Sequence, residues 1–157
     1  MAGRGDPQLY VRRGDRVVPA PAADIAVAAG YRGWPDKGPE VDGRRLTIMA
    51  AERAYRVGDV VRVIHVLEVT AGRSLYVAGP KIVTDEYLDD RLVGTRQPAE
   101  ADPLDPLSYD GPVLPGPGTD FNWEITEYPL PDPGTTRIQW RPGALMSNTL
   151  KVQVARA

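Results

Sequence analysis

His65 stands in the middle of VVRVIHVLEV, residues 60–69, and is the one histidine in a chain of 157 residues. An imidazole titrates near neutrality, so it can serve as a general acid or base wherever water or substrate reaches it. Period-two spacing places His65 on the apolar face of a strand with Val63 and Leu67. Packed there, it needs a hydrogen-bond partner; lining a pocket, it would move protons. Both fates stay open from sequence. Glu124, in FNWEITEY, is the second acid–base candidate, expected on the polar face of its strand opposite Trp123.

A lone histidine and the absence of cysteine exclude the usual zinc sites, the two-histidine iron triad, iron–sulfur clusters, thiol nucleophiles and disulfides. No metal or cofactor is expected on these grounds. Two acidic sets keep an oxygen-ligated cation in play: Asp85, Glu86, Asp89 and Asp90 in TDEYLDDRLVG, and Glu100, Asp102, Asp105 and Asp110 in AEADPLDPLSYDG. Neither has EF-hand spacing. GPGTD lacks the Gly-Lys-Ser/Thr ending of a phosphate loop, and no GxSxG elbow occurs. For ligand contact, a tyrosine offers apolar area plus a hydroxyl. Tyr109 and Tyr128 are therefore candidates, with Tyr76 and Trp123 beside them, while Phe121, Trp123 and Trp140 also suit a core.

Arg-Gly-Asp occurs at residues 4–6 and 13–15. An adhesive role needs export, and MAGRGDPQLY lacks the apolar stretch of a secretory signal. Within LYVRRGDRVV the second copy falls where a hairpin needs its turn, with Gly14 and Asp15 at the tip.

Composition narrows the classes further. An apolar fraction of 42% supports a real core. The 21 acidic and 19 basic residues give a net charge of −2 without a long like-charge block, which weakens any case for nucleic acid or anionic membrane as partner. No run approaches the ~20 apolar residues of a membrane span. A cytoplasmic location is the expectation.

The elements that would position these residues are mostly strands. Val60–Val69 reads as a central strand, with Val61, Val63, Leu67 and Val69 on one face. Its other face, Val60, Arg62, Ile64, Val66 and Glu68, mixes apolar and charged groups and predicts cover by another element. RRLTIMA, SLYVAG, FNWEITEY, TTRIQWR and TLKVQVA alternate in the same way, aligning Leu46 with Ile48 and Ala50, Phe121 with Trp123 and Ile125, Ile138 with Trp140, and Leu150 with Val152 and Val154. PAPAADIAVAAG predicts a short helix entered at Pro21 and ended at Gly30. Residues 94–120 carry too much Pro and Gly for a ladder and read as one long loop.

The run YRVGDVVRVIHVLEV and the closing hairpin GTTRIQWRPGALMSNTLKVQV resemble the bacterial immunoglobulin-like or fibronectin-type β-sandwich. That resemblance implies an all-β, antiparallel sandwich over residues 45–157, preceded by an N-terminal arm or hairpin and irregular segment over 1–44. It leaves function open, because sandwiches host many activities. The leading expectation is a binding module for a small molecule or a protein partner. The alternatives are a small specialised-metabolism enzyme of cyclase or condensation type, using His65 or a buried carboxylate in an aromatic-lined pocket, and an assembly subunit forming a homo-oligomer through strand edges.

Overall fold

A computed structural model of the chain describes residues 9–13, 15–70, 72–76, 81–93 and 113–156. Among the described residues fourteen strands follow one another: β1 (Tyr10–Arg13), β2 (Arg16–Pro19), β3 (Glu40–Val41), β4 (Arg44–Met49), β5 (Ala54–Arg56), β6 (Val60–Val69), β7 (Ser74–Tyr76), β8 (Glu86–Leu88), β9 (Arg91–Leu92), β10 (Val113–Pro115), β11 (Gly118–Asp120), β12 (Glu124–Pro129), β13 (Gly134–Trp140) and β14 (Leu150–Ala155). The helix α1 (Ala22–Ala29) follows Pro21 and gives way at Gly30 to a short 3₁₀ turn, Tyr31–Gly33. The alanine-rich stretch thus becomes the helix its composition predicts. The fold is all-β with one short helix.

A seven-stranded sheet has the order β2-β1-β12-β6-β4-β3, with β11 also paired to β6; a five-stranded sheet has the order β5-β14-β13-β8-β9. Strand β6 is central because it is long enough to hold three partners. β4 runs along Ile64–Val69 on one side, while β12 takes Val60–Val63 and β11 takes Leu67–Val69 on the other. Most pairings are antiparallel, as expected, with β1–β12 and β14–β5 parallel. Alternation cannot foresee this, because it reports the face of a residue and not the direction of its neighbour.

The two large sheets face each other in a sandwich. Leu46, Ile48, Val61, Val63 and Leu67 from the first meet Leu88, Ile138, Trp140, Leu150, Val152 and Val154 from the second. The opposite face of the first sheet is also buried. Met49, Ile64, Val66 and Ile125 pack there against Leu9, Val11, Ala28 and Tyr31, so α1 and the N-terminal strands supply the cover that the mixed face of β6 requires. Charged groups on that face are paired: Arg62 with Asp24 of α1, and Glu68 with Tyr31 and Arg45.

Turn chemistry explains several acidic residues. Asp42 and Gly43 both have positive φ between paired Val41 and Arg44, and Asp89 and Asp90 do the same between Leu88 and Arg91. These are two-residue hairpins that need left-handed backbone at both central positions, which aspartate and glycine tolerate best. Arg13 and Arg16 likewise pair, and Asp15 lies exposed in the turn between them, while Gly14 and the first Arg-Gly-Asp copy lie outside the described residues.

Edge strand β2 is blunted. The Ala20 amide donates to the Leu9 carbonyl at 2.9 Å, so alternation makes Leu9/Ala20, Val11/Val18 and Arg13/Arg16 the bonded pairs and turns Val17 and Pro19 outward. Proline offers no N–H to an incoming strand. Residues 113–115 and 118–120 are short strands rather than loop, pairing with β7 and β6. Their Pro and Gly sit at an edge and a bend, where a broken ladder is tolerated; residues 94–112 lie outside the described part.

Candidate functional site

Glu86 is the centre of a polar cluster inside the sandwich. It lies on β8, in the five-stranded sheet, and reaches across the core to the other sheet. There it accepts hydrogen bonds from His65 Nε2 on β6 at 2.7 Å, from Thr126 Oγ1 on β12 at 2.6 Å and from the Tyr128 hydroxyl on β12. The side chains of His65 and Glu86 are both fully buried. A carboxylate taken out of water must be compensated by donors, and three converge on this one. His65 also packs edge-to-face with Trp140, with ring centroids 4.9 Å apart, and Trp140 in turn packs on Trp123 at 5.0 Å.

His65 therefore occupies the apolar face with Val63 and Leu67, as its spacing requires. Nε2 is committed to Glu86, and Nδ1 is buried with no partner among the described residues. Neither ring nitrogen faces an opening from which it could take a proton from a substrate. Tyr128, a ligand candidate from sequence, joins the same cluster through its hydroxyl. Trp123 is buried beneath the Lys81 ammonium, which lies 4.7 Å from its ring and 2.8 Å from Asp120. Tyr76 is half-buried on β7, and Tyr109 lies outside the described residues.

Glu124 corrects the expectation of a polar strand face, being only 8% exposed. The reason is a tight turn ahead of β12, where the Trp123 amide donates to the Phe121 carbonyl at 2.8 Å. That turn shifts the parity. Trp123 enters the sandwich core while Phe121 and Ile125 belong to the opposite cluster, so the three do not align; Glu124 falls on the face of Thr126 and Tyr128. The acidic set at 85–90 also separates. Glu86 enters the core, Asp89 accepts the Arg137 amide and Asp90 accepts from Arg141, and among the described residues no group of three or more acidic or histidine side chains could hold a metal ion.

An open concavity lies elsewhere. A cleft of about 450 Å³ is lined by Asp24 of α1, by Ala51, Glu52, Ala54 and Tyr55, and by Asp59, Val60 and Arg62 at the start of β6. Asp24 is buried, and both its oxygens accept from Arg62, at 2.6 Å from Nε and 3.4 Å from Nη2. The bond to Asp24 raises the Arg62 pKa, outweighing partial burial. The Tyr55 hydroxyl donates to the Glu52 carbonyl, and burial followed by the Glu52 charge raises its pKa. None of the residues selected from sequence lines this cleft. A buried aspartate in a helix that covers an arginine-bearing strand face was the available signal, and it needed the pairing of α1 with β6 to be read.

Two tyrosines set an alkaline limit. Burial, then the hydrogen bond to Glu68, pushes the Tyr31 pKa up to about 12; burial, then the Glu86 charge, pushes Tyr128 up as well. A phenol whose folded pKa exceeds its unfolded value of about 10 stabilises the fold fully below that pH, and the contribution is lost as pH rises through the folded value. The denaturant midpoint is expected to fall above about pH 10, and Tyr31→Phe or Tyr128→Phe should each flatten that fall. A midpoint flat through this range in the unsubstituted chain would contradict the assignment.

No helix among the described residues is long and apolar enough to cross a membrane. No family model matches the chain, and neither a curated protein nor a solved structure matches it, so its cleft and its core cluster stand on their own geometry.

Proposed function

We propose that this chain is a cytoplasmic, immunoglobulin-like β-sandwich that acts as a binding module, and that a small molecule occupies the cleft between α1, residues 51–55 and the start of β6. The carrying observation is the contrast between the two polar sites. The His65–Glu86 cluster is sealed and its groups are committed to one another, whereas the cleft is open and carries a guanidinium with N–H groups to spare. Its volume falls within the range of roughly 300–1,000 Å³ usual for small-molecule sites. The proline on the outward side of β2 weighs against assembly through that edge.

Val60, 44% exposed at the cleft, gives the test. Val60→Trp adds bulk there without entering the core. In an amide-resolved NMR screen of small polar fragments, binders should shift the amides of residues 51–62, and Val60→Trp should weaken them by about tenfold or more, about 1.4 kcal/mol, with an unchanged melting temperature. Fragments that bind but leave those amides unmoved would refute the cleft as the site.

A further inference from the structure

We infer, resting on the cleft as the binding site, that its ligand is a small zwitterion that sets a carboxylate on the Arg62 guanidinium and an ammonium group toward Glu52 and Asp59. The lining carries three carboxylates, Asp24, Glu52 and Asp59, against the single guanidinium of Arg62. They are not equivalent. Asp24 has both oxygens occupied by Arg62 and its side chain is 1% exposed, so it serves to hold the guanidinium and is closed to a ligand.

Arg62 has five N–H groups, of which Asp24 takes one on Nε and one on Nη2. The remaining three have no partner among the described residues, and about a third of the side chain is exposed. They form an edge suited to a planar carboxylate, which accepts in a matching fork. A simple anion is nevertheless disfavoured, because the lining as a whole is negative. Glu52 and Asp59 are both exposed. Asp59 spends Oδ2 on the Arg56 amide at 2.8 Å and keeps Oδ1 for an incoming N–H. A simple cation would satisfy these two residues while leaving the Arg62 donors bare and suffering their repulsion. Only a ligand bearing both charges satisfies both ends, and Ala51, Ala54, Val60 and the Tyr55 ring provide the apolar wall for the carbons between them.

The experiment titrates the full chain with 4-aminobutanoate, butanoate, 1,4-diaminobutane and 1,4-butanediol, four probes that share one carbon skeleton, following the amides of residues 51–62. Saturable shifts are expected with 4-aminobutanoate by roughly 10 mM, with each other probe at least about tenfold weaker. Glu52→Gln and Asp59→Asn, both at exposed positions, should each lower that affinity about fivefold without moving the melting temperature. Equal or tighter binding of butanoate, the diamine or the diol overturns the zwitterion while keeping the cleft as a site. Saturation by 4-aminobutanoate that neither substitution weakens overturns the place given to its ammonium. No shift of these amides with 4-aminobutanoate overturns the inference, and if the wider fragment set also leaves them unmoved, the binding-site reading falls with it.

Discussion

Glu86→Ala is expected to destabilise the fold by about 3–5 kcal/mol, the usual cost of removing one partner from a buried charged network. For a chain of this size that corresponds to a fall in melting temperature of roughly 6–20 °C. The substitution leaves His65 Nε2, Thr126 Oγ1 and the Tyr128 hydroxyl without their acceptor and opens a void between the sheets. Unpaired buried donors cost about 1–3 kcal/mol each, and Thr126 and Tyr128 recover part of that because they are only half-buried. The control separates the worth of the network from the penalty of breaking it. His65→Leu, Glu86→Leu and Tyr128→Phe together remove the acceptor and two of its three donors, leaving only the half-buried Thr126 hydroxyl, and the triple variant should regain more than half of the loss. Thermal melts by circular dichroism decide the matter: a Glu86→Ala protein melting within about 2 °C of the unsubstituted chain would show that the cluster contributes little.

Arg62→Met is the second large effect, and its asymmetry with Asp24→Ala is the informative part. Removing the guanidinium leaves a carboxylate on α1 that is 1% exposed without its partner. Removing Asp24 leaves a guanidinium that is 32% exposed and can turn toward solvent. Arg62→Met should therefore cost about 2–4 kcal/mol and Asp24→Ala about 1 kcal/mol. The double variant should return close to Asp24→Ala, since nothing is left stranded. Urea unfolding of the three proteins measures this, and equal costs for the two single substitutions would mean that the pairing itself, not the buried charge, carries the stability.

Face assignments within a strand were legible from residue types alone. Period two put Val61, Val63, His65, Leu67 and Val69 of β6 on one side and predicted cover for the other, and the same rule placed Ile138 with Trp140 and Leu150 with Val152 and Val154. Pro21, the alanines and Gly30 marked α1 because helix entry, propensity and exit are properties of neighbouring residues. That logic stops where a short turn changes parity. The Phe121–Trp123 turn moved Glu124 from the expected polar face to a buried one.

Tertiary structure alone decided what the polar groups do. In sequence Glu86 is one of several clustered acids, since its partners His65, Thr126 and Tyr128 are 21, 40 and 42 residues away. Its neighbours Asp89 and Asp90 went to a hairpin turn and Glu86 went to the core, because the strand beginning at Glu86 turns that side chain inward while the backbone after Leu88 must reverse. The cleft has the same origin: Asp24 and Arg62 lie 38 residues apart and meet only because α1 packs on the outer face of β6. A periodic pattern records the environment each side chain needs; which distant charge supplies it depends on how the sheets and the helix come together.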